Sequence, residues 1–383
     1  MKMGNKSTEL GELLKDGYTE KYARFYLSGC SAEEKSPIYD PELTKWAHSH
    51  GFFVEHALLY GLNDSNCDDY LSDYDFYKVW PLNSWARLWI NDKLTLRLML
   101  SEPEFAKLMP KYYFYTAAEG LRVLCDNPVQ GVCSAADFLA VLREVGEFAC
   151  KPNNGTMAKG FYRMSYENGV YAINDEVCSA NAIIKFVEEH PNYIFTEYLR
   201  PGGVFAKIAP KIHTLRINVL NEAGNPRITR CYLRFPDSGC GAANFFVFDG
   251  SNTTDYHVQV NVDSETGEWG EAKLFFPNRT ENIRYHPDSG VELSGIIPQF
   301  KQLKESVLAI ARKFSLIEYM GLDIGITESG FKLMEINSHP GIGYLQAYES
   351  FYTDDGLRRY FKGKLREIDA LSPDLVLTRN KIR

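Results

Sequence analysis

The chain predicts an α+β fold in which helices pack on mainly antiparallel sheets. Three observations carry this expectation. Pairs of β-rich runs recur, joined by short Gly- or Asn-bearing turns. Capped amphipathic helical segments alternate with those pairs. The 383 residues, 45% apolar and 24% charged, suit a soluble globular chain of two or three packed domains or subdomains.

Taken in order, residues 1–90 read as helical and irregular, ending in the aromatic, acidic run "CDDYLSDYDFYKVWPLNSWARLWI". "NDKLTLRLMLSE" reads as a helix behind an Asn/Asp cap. "YYFYTAAEGLRVL" starts as a strand, and "SAADFLAVLREVG" has helical apolar spacing behind a Ser cap. "EFACKPNNGTMAKGFYRMSYENGVYAIN" holds a strand, a Gly-containing loop, a second strand and an Asn-Gly turn. "SANAIIKFVEEH" follows as a helix, and "NYIFTEYL" as a strand running into the turn "RPGG". Beyond Val204 come two further strand pairs, "HTLRINVLNEAGNPRITRCYLRF" and "HVQVNVDSETGEWGEAKLFF", then the long helix "IPQFKQLKESVLAIARKFS". The last pair is "YMGLDIGITESG" with "KLMEINSHPGIG". Boundaries near residues 90 and 203 divide the chain into regions 1–90, 91–203 and 204–383.

The formal charge of −8 argues against a general nucleic-acid partner, which asks for a basic face. The N-terminus has no apolar h-region and no run approaches a membrane span, so a cytoplasmic protein is expected. The eight cysteines are scattered without a CxxC, which reads as free buried thiols in a reducing compartment. The glycosylation-like triplet at Asn252 is then a chance match. His48, His50 and His56 lack the carboxylate or Cys spacing of a metal site and read as surface histidines.

Four constellations carry chemistry. In "CKPNNGTMAKG", Lys151 ends an apolar strand, and the loop beyond it carries Thr156, Lys159 and Gly160. Such a loop can bring backbone N–H groups and point charge to a phosphate, although a hairpin loop with solvated lysines is the more ordinary reading. In "FTEYLRPGG", Glu197 lies where a strand leaves its sheet, either as an exposed strand end or as the start of a linker that grips a planar base. In the last strand pair, Asp323 interrupts one apolar run, while Glu335 and Asn337, two apart, share a face of the next. Oxygen ligands without His or Cys suit Mg²⁺, or Mn²⁺, shared with substrate phosphates. Arg216, a cation inside an apolar strand, fits either an ion pair with those acids or a contact to phosphate or a developing oxyanion. Arg234 and Asn244, on either side of "PDSGCGA", are candidate pocket residues. The aromatic run Tyr74 to Trp89 reads as core packing or as a stacking floor for a sugar.

The order of these motifs resembles the ATP-grasp superfamily from about Asp92 to Gln346. The combination of "LRF", "CGAANFF", "VDSETGEW", "YHPDSGVELSGIIPQF", "YMGLDIGIT" and "LMEINSHPGIGYLQ" resembles the sugar-transfer-associated ATP-grasp proteins of bacterial polysaccharide gene sets. Residues 1–90 match no family pattern. The resemblance implies two α+β subdomains sandwiching ATP, the lid being 91–203 and the metal-bearing subdomain 204–383. It implies that Lys93 and Lys151 touch ATP phosphates, and that Thr156, Lys159 and Gly160 belong to the loop closing over them. Glu197, Tyr198, Leu199 and Arg200 become the adenine linker. Asp323, Glu335 and Asn337 become the metal ligands, and Arg216, with Lys159, the catalytic cations. His339, Arg234 and Asn244 stand as substrate-side candidates. Two departures matter. "RPGGVFAK" offers no acid for the ribose, and Ala243 replaces the family's Asp before the pocket Asn.

The implied activity is ATP- and Mg²⁺-dependent ligation of a carboxylate to an amine or thiol through an acyl-phosphate. The implied setting joins an amino acid to a sugar or uronic acid, in association with polysaccharide-assembly enzymes. A kinase acting on a sugar hydroxyl and a non-catalytic ATP-binding partner are the alternatives.

Overall fold

The computed structural model describes residues 9–128, 133–155, 159–237 and 256–381. The N-terminal region is helical: Leu10–Lys15, Glu20–Lys35, Pro41–Ser49, Val54–Tyr60 and Asp73–Val79 precede the helix Lys93–Met99. Local chemistry sets several starts. Asp40 accepts from the amides of Glu42 and Leu43, and Ser72 and Asp92 cap their helices in the same way. The apolar faces meet in a tyrosine-rich core of Leu13, Tyr18, Ala23, Tyr26 and Tyr74.

The first sheet holds β1 (Tyr112–Ala117), β2 (Gly120–Val123), β3 (Glu147–Pro152), β4 (Tyr162–Glu167), β5 (Val170–Ile173), β6 (Glu176–Cys178) and β7 (Tyr193–Glu197), in the order β2-β1-β7-β3-β4-β5-β6. The β4–β5 turn uses Asn168 and Gly169 at φ 51° and 85°, the positive φ pair that an Asn-Gly hairpin turn needs. Helices Ala135–Val145, with a Ser134/Asp137 capping box, and Ala180–Glu189 line a core of Phe114, Phe138, Phe148 and Phe195.

The second sheet holds β8 (Thr214–Glu222), β9 (Asn225–Phe235), β10 (His257–Val262), β11 (Glu268–Phe276), β12 (Arg279–Asn282), β13 (Gly295–Ile296), β14 (Tyr319–Thr327) and β15 (Gly330–Asn337). Its order is β12-β11-β10-β9-β8-β14-β15, with β13 beside β11, and every described pairing in both sheets is antiparallel. Strand alternation divides this sheet into two unlike faces. Leu215, Ile217, Leu233, Val260, Leu322, Ile324 and Ile336 are buried in one core with the helix Phe300–Lys313. Each such side chain contributes about 1.5–3 kcal/mol on full burial. The opposite face carries Arg216, Asn218, Tyr232, Arg234, Gln259, Asp323 and Glu335. The segment Ser338–Ser350 runs over it, pinned by Tyr60 Oη to Gly343 O (2.8 Å), by Gln346 to both the N–H and C=O of Leu71 (2.9 and 3.0 Å), and by Gln259 Nε2 to Tyr344 O (3.2 Å). Gly343 is required there, since a Cβ would stand 2.2 Å from His56 Nε2.

The chain crosses into the first sheet at 107–111, which leads from the preceding helices to β1, and out of it toward the second sheet at 198–213. At the first crossing, Leu333 N donates to Leu108 O (2.7 Å), and Lys332 Nζ to the carbonyls of Lys107 and Met109. At the second, Gly202 N donates to Ile326 O (3.1 Å), and a Cβ on Gly202 would lie 2.3 Å from Glu328 N. The crossings touch: Glu197 N donates to Lys111 O (2.8 Å) and Lys111 N to Glu197 Oε2 (3.1 Å).

The structure corrects several sequence expectations. His48 and His56 are not surface residues. His48 Nε2 meets Glu33 Oε2 at 2.9 Å, and His56 Nδ1 meets Asp73 Oδ1 at 2.7 Å. Glu33 also accepts from the amides of Val54 and Glu55, so one buried carboxylate serves a histidine and a helix N-terminus. The described cysteines are all free, but Cys125 is exposed rather than buried. The aromatic run divides: Tyr74, Phe76 and Trp80 are core, whereas Trp85 is 53% exposed. Helices Asp355–Asp369 and Pro373–Arg379 return to the N-terminal region, where Arg379 donates to the carbonyls of Gly17, Lys78 and Trp80. Among the described residues, no helix is long and apolar enough to cross a membrane.

Candidate active site

The polar face of the second sheet carries a straight row. Glu335, Asp323, Arg216, Tyr232 and Asn261 stand directly opposite one another on β15, β14, β8, β9 and β10. Antiparallel register makes this row, because residues facing each other across a ladder share a face. Asp323 is fully buried and takes a two-pronged contact from Arg216, through Nε to Oδ1 and Nη2 to Oδ2. Asn337 Nδ2 donates to Asp323 Oδ2 (3.0 Å) and Glu335 Oε1 (3.4 Å). Gly321 leaves room for Arg216, since a Cβ there would lie 2.8 Å from Pro340 and 3.1 Å from Arg216 Cδ.

Two lysines approach from the first sheet's side. Lys93 begins the helix Lys93–Met99; its Nζ donates to Gly155 O (3.0 Å) and lies 3.8 Å from Glu335 Oε2. Lys151 lies on β3. A knot fixes both. The carboxylate of Asp92 accepts from Thr95 N and from the side chains of Asn153 and Asn154. Asn153 Oδ1 accepts in turn from Leu94 N (3.0 Å), and Asn153 O from Lys93 N. "NDK" and "KPNN" are therefore one structural unit, which spacing along the chain does not reveal.

Electrostatics follow from this crowding. Burial and the neighbouring charge of Lys93 push Lys151 down to about 8, with Glu335 opposing. Burial disfavours the charged form of Glu335, but Lys93, a hydrogen bond from Asp323, Lys151 and Arg216 together hold it below the usual carboxylate range. Burial pushes Asp323 up to about 6; Arg216 opposes this and Glu335 reinforces it. Three cations thus face two acids, an excess of positive charge that suits a polyphosphate. A divalent cation between the acids would relieve their repulsion. The donor set, two carboxylates and a carboxamide oxygen, fits magnesium or manganese shared with phosphate oxygens. Among the described residues, no cluster of three or more His, Cys, Asp or Glu forms a self-sufficient metal site.

The other sequence candidates fall as follows. Thr156 and Asn244 lie outside the described residues. Lys159 is exposed, and Gly160 adopts φ +73° where a Cβ would meet Tyr193 Oη at 2.5 Å. Beyond Glu197 the chain leaves β7 without regular structure. Tyr198 lies between the guanidinium groups of Arg163 and Arg200, each 5.3 Å from its ring, Leu199 is buried, and Arg200 donates twice to Glu147 (2.8 Å each). Arg234 lies near the rings of Tyr232 and Tyr344, 5.0 Å from the latter, and its Nε is buried without a hydrogen-bond partner among the described residues. His339 stands apart from the cluster. It stacks on Trp80 at 3.9 Å, and its ring nitrogens meet Tyr22 Oη and Ser338 Oγ at 2.7 Å each. Burial, helped by Arg87 and Lys21, pushes it down to about 3, so the ring is neutral. Sequence reasoning missed Asn153 and Tyr232 as parts of the site, and Tyr344 beside them; only cross-strand register or a long-range hydrogen bond reveals such residues.

Comparison with known proteins gives the context. A search of curated proteins finds no match. Among solved structures, D-alanyl-alanine synthetase A from Vibrio cholerae is similar at 13% identity and TM-score 0.42, over 73% of this chain and 67% of that one. An L-amino acid ligase from Bacillus licheniformis matches at 8% identity and TM-score 0.39, over 73% of this chain and 49% of that one. Biotin carboxylase from Campylobacter jejuni matches at 7% identity and TM-score 0.42, over 75% and 48%. The chain thus spans between about half and two thirds of the length of these structures. The family described as sugar-transfer associated ATP-grasp matches residues 91–354, most of the chain and all of the row and lysines above, and the chain belongs to that family.

Proposed function

We propose that the protein is an ATP- and Mg²⁺-dependent carboxylate–amine ligase that joins an amino acid to a sugar or uronic acid during bacterial surface-polysaccharide assembly. The observation that carries this reading is the pairing of Asp323, Glu335 and Asn337 with Arg216, Lys93 and Lys151 in one buried cluster. Lys93 and Lys151 hold the nucleotide phosphates, and the linker Glu197 to Arg200 receives the adenine edge. Asp323, Glu335 and Asn337 hold the metal, which when bound disperses charge on the transferring phosphoryl group. An oxygen of the substrate carboxylate attacks the γ-phosphorus; the bond to the β-phosphate oxygen breaks, giving ADP and an acyl-phosphate. Arg216, beside Asp323 in the row, stabilises the charge that develops on the acyl oxygen. The amine then attacks the carbonyl carbon, the C–O bond to phosphate breaks, and the amine loses a proton.

Arg234 favours ligation over phosphoryl transfer to a hydroxyl. It is a second cation on the same face, has no ion pair among the described residues, and suits a carboxylate substrate. The test is incubation with ATP, Mg²⁺ and a panel of amino acids with uronic or nucleotide sugars, following ADP release and product mass. The expected outcome is an amide whose formation needs all components. A phosphorylated sugar without amide would sink the ligase reading.

A further inference from the structure

The metal row does not stop at Arg216. It continues through Tyr232 on β9 to Asn261 on β10, and there it meets a cavity of about 130 Å³ between the sheet and the segment Tyr344 to Glu349. Strands in a sheet stand about 4.8 Å apart, so Asn261 lies two strands, roughly 10 Å, from Arg216. Arg230, Tyr232, Asn261, Ser264, Tyr348 and Glu349 line the cavity. Both charge signs are present, and they touch: Arg230 Nη2 lies 3.2 Å from Glu349 Oε1. The guanidinium also bonds the carbonyls of Thr229 (2.8 Å) and Ser350 (3.1 Å), and its Nη1 lies 3.9 Å from Asp354 Oδ2. Arg230 Nε is buried and has no acceptor among the described residues. A buried N–H of a cation without a partner asks for one, and an anionic oxygen is the partner that suits it.

We propose that this cavity binds the nucleophile of the ligation and that the nucleophile is a small α-amino acid. The proposal rests on the ligase reading. The carboxylate of the amino acid meets Arg230 Nε, its ammonium lies within reach of Glu349, and the rings of Tyr232 and Tyr348 flank its short side chain. The cavity is well below the 300–1,000 Å³ of drug-sized pockets, which restricts the guest to a small amino acid. The row then orders the reaction across the sheet: metal over β14 and β15, reacting acyl group over β8 at Arg216, amine arriving from β9 and β10.

The test is equilibrium binding of glycine, L-alanine and L-serine to the full chain without turnover, by saturation-transfer NMR. It is run on the wild type, on Ser264→Phe and on Asn261→Ala. Ser264 lies in the β10–β11 turn, so a bulky side chain there fills the cavity from its rim; circular dichroism and thermal melting check that each variant is folded. At least one of the three amino acids is expected to bind the wild type, and at least about tenfold more weakly to Ser264→Phe and Asn261→Ala. Excess glucose or glucuronic acid is expected to leave that binding unchanged. Binding of none of the three, equal binding to all three proteins, or displacement by the sugars each overturns the proposal. The ligase reading is separately decided by amide formation. Amide product with unchanged amino-acid KM in both variants overturns this site alone.

Discussion

The two sheets use the same hairpin geometry for different purposes. In the first, the core is a cluster of phenylalanines, Glu147 pairs with Arg163 and Arg200 at 2.8–3.0 Å, and Lys151 stands within electrostatic reach of Lys93 and Glu335. In the second, one face is an aliphatic core and the other holds buried Asp323, Asn218 and Gln259 beside Arg216. A buried polar face is costly to build unless its groups are paired. Its presence on the second sheet fits the proposed division of labour, in which the first sheet grips ATP and the second carries the reacting groups.

The sharpest way to break this comparison is to disarm the second sheet. Glu335→Gln removes a charge proposed to bind the metal, and turnover should fall by at least about a hundredfold, read as ADP release against Mg²⁺ concentration. Full Mg²⁺-dependent turnover in that variant would falsify the metal assignment. Asp323→Ala should also cost about 3–5 kcal/mol in urea unfolding, because it strands Arg216 as a buried unpaired cation.

On the gripping side, Lys151→Ala should weaken ATP binding about ten- to a hundredfold, the worth of a charge-assisted hydrogen bond. Its stability should hardly change, since Lys93 already repels Lys151. A loss of stability with unchanged ATP affinity would reverse the roles given to the two sheets. Outside both sheets, burial alone would lower His56, but Asp73, Glu55 and Glu33 raise it to about 9. The folded value lies above the unfolded one near 6.5. The stabilisation, on the order of 1–3 kcal/mol, is therefore complete below pH 6.5 and lost as pH rises through about 9. Denaturation midpoints between pH 6 and 9.5 read it, and His56→Gln should flatten the profile. The smallest effect is expected for Asp92→Ala. It should cost about 1 kcal/mol as a lost N-cap and raise the KM for ATP by loosening the Asn153 loop; an unchanged KM would mean the knot does not position Lys93.

The clustering of Asp323, Glu335 and Arg216 was legible in the sequence because each breaks an apolar run, and a charge placed there needs a reason. Strand pairs were legible for a similar local reason: turns such as Asn168-Gly169 announce themselves. What spacing cannot carry is pairing at a distance. Asp92 and Asn153 stand far apart in the chain, yet share a hydrogen bond. Glu33, His48 and Val54 form a buried network that composition presents as scattered polar residues. The helix Asp355–Asp369 is a different case. Its buried positions Leu357, Tyr360, Phe361 and Ile368 have helical spacing, so it was readable in principle.

The two crossings have a mechanical consequence. Arg200 is held by the first sheet through Glu147, and Gly202 by the second through Ile326, with only Pro201 between them. The other crossing, at Lys107 to Lys111, is tied to β15 on one side and to Glu197 on the other. The two connections lie side by side like the pins of a single door hinge. Little backbone is left to slide or twist, so the relative motion expected of the two sheets is a swing about the line through both pins.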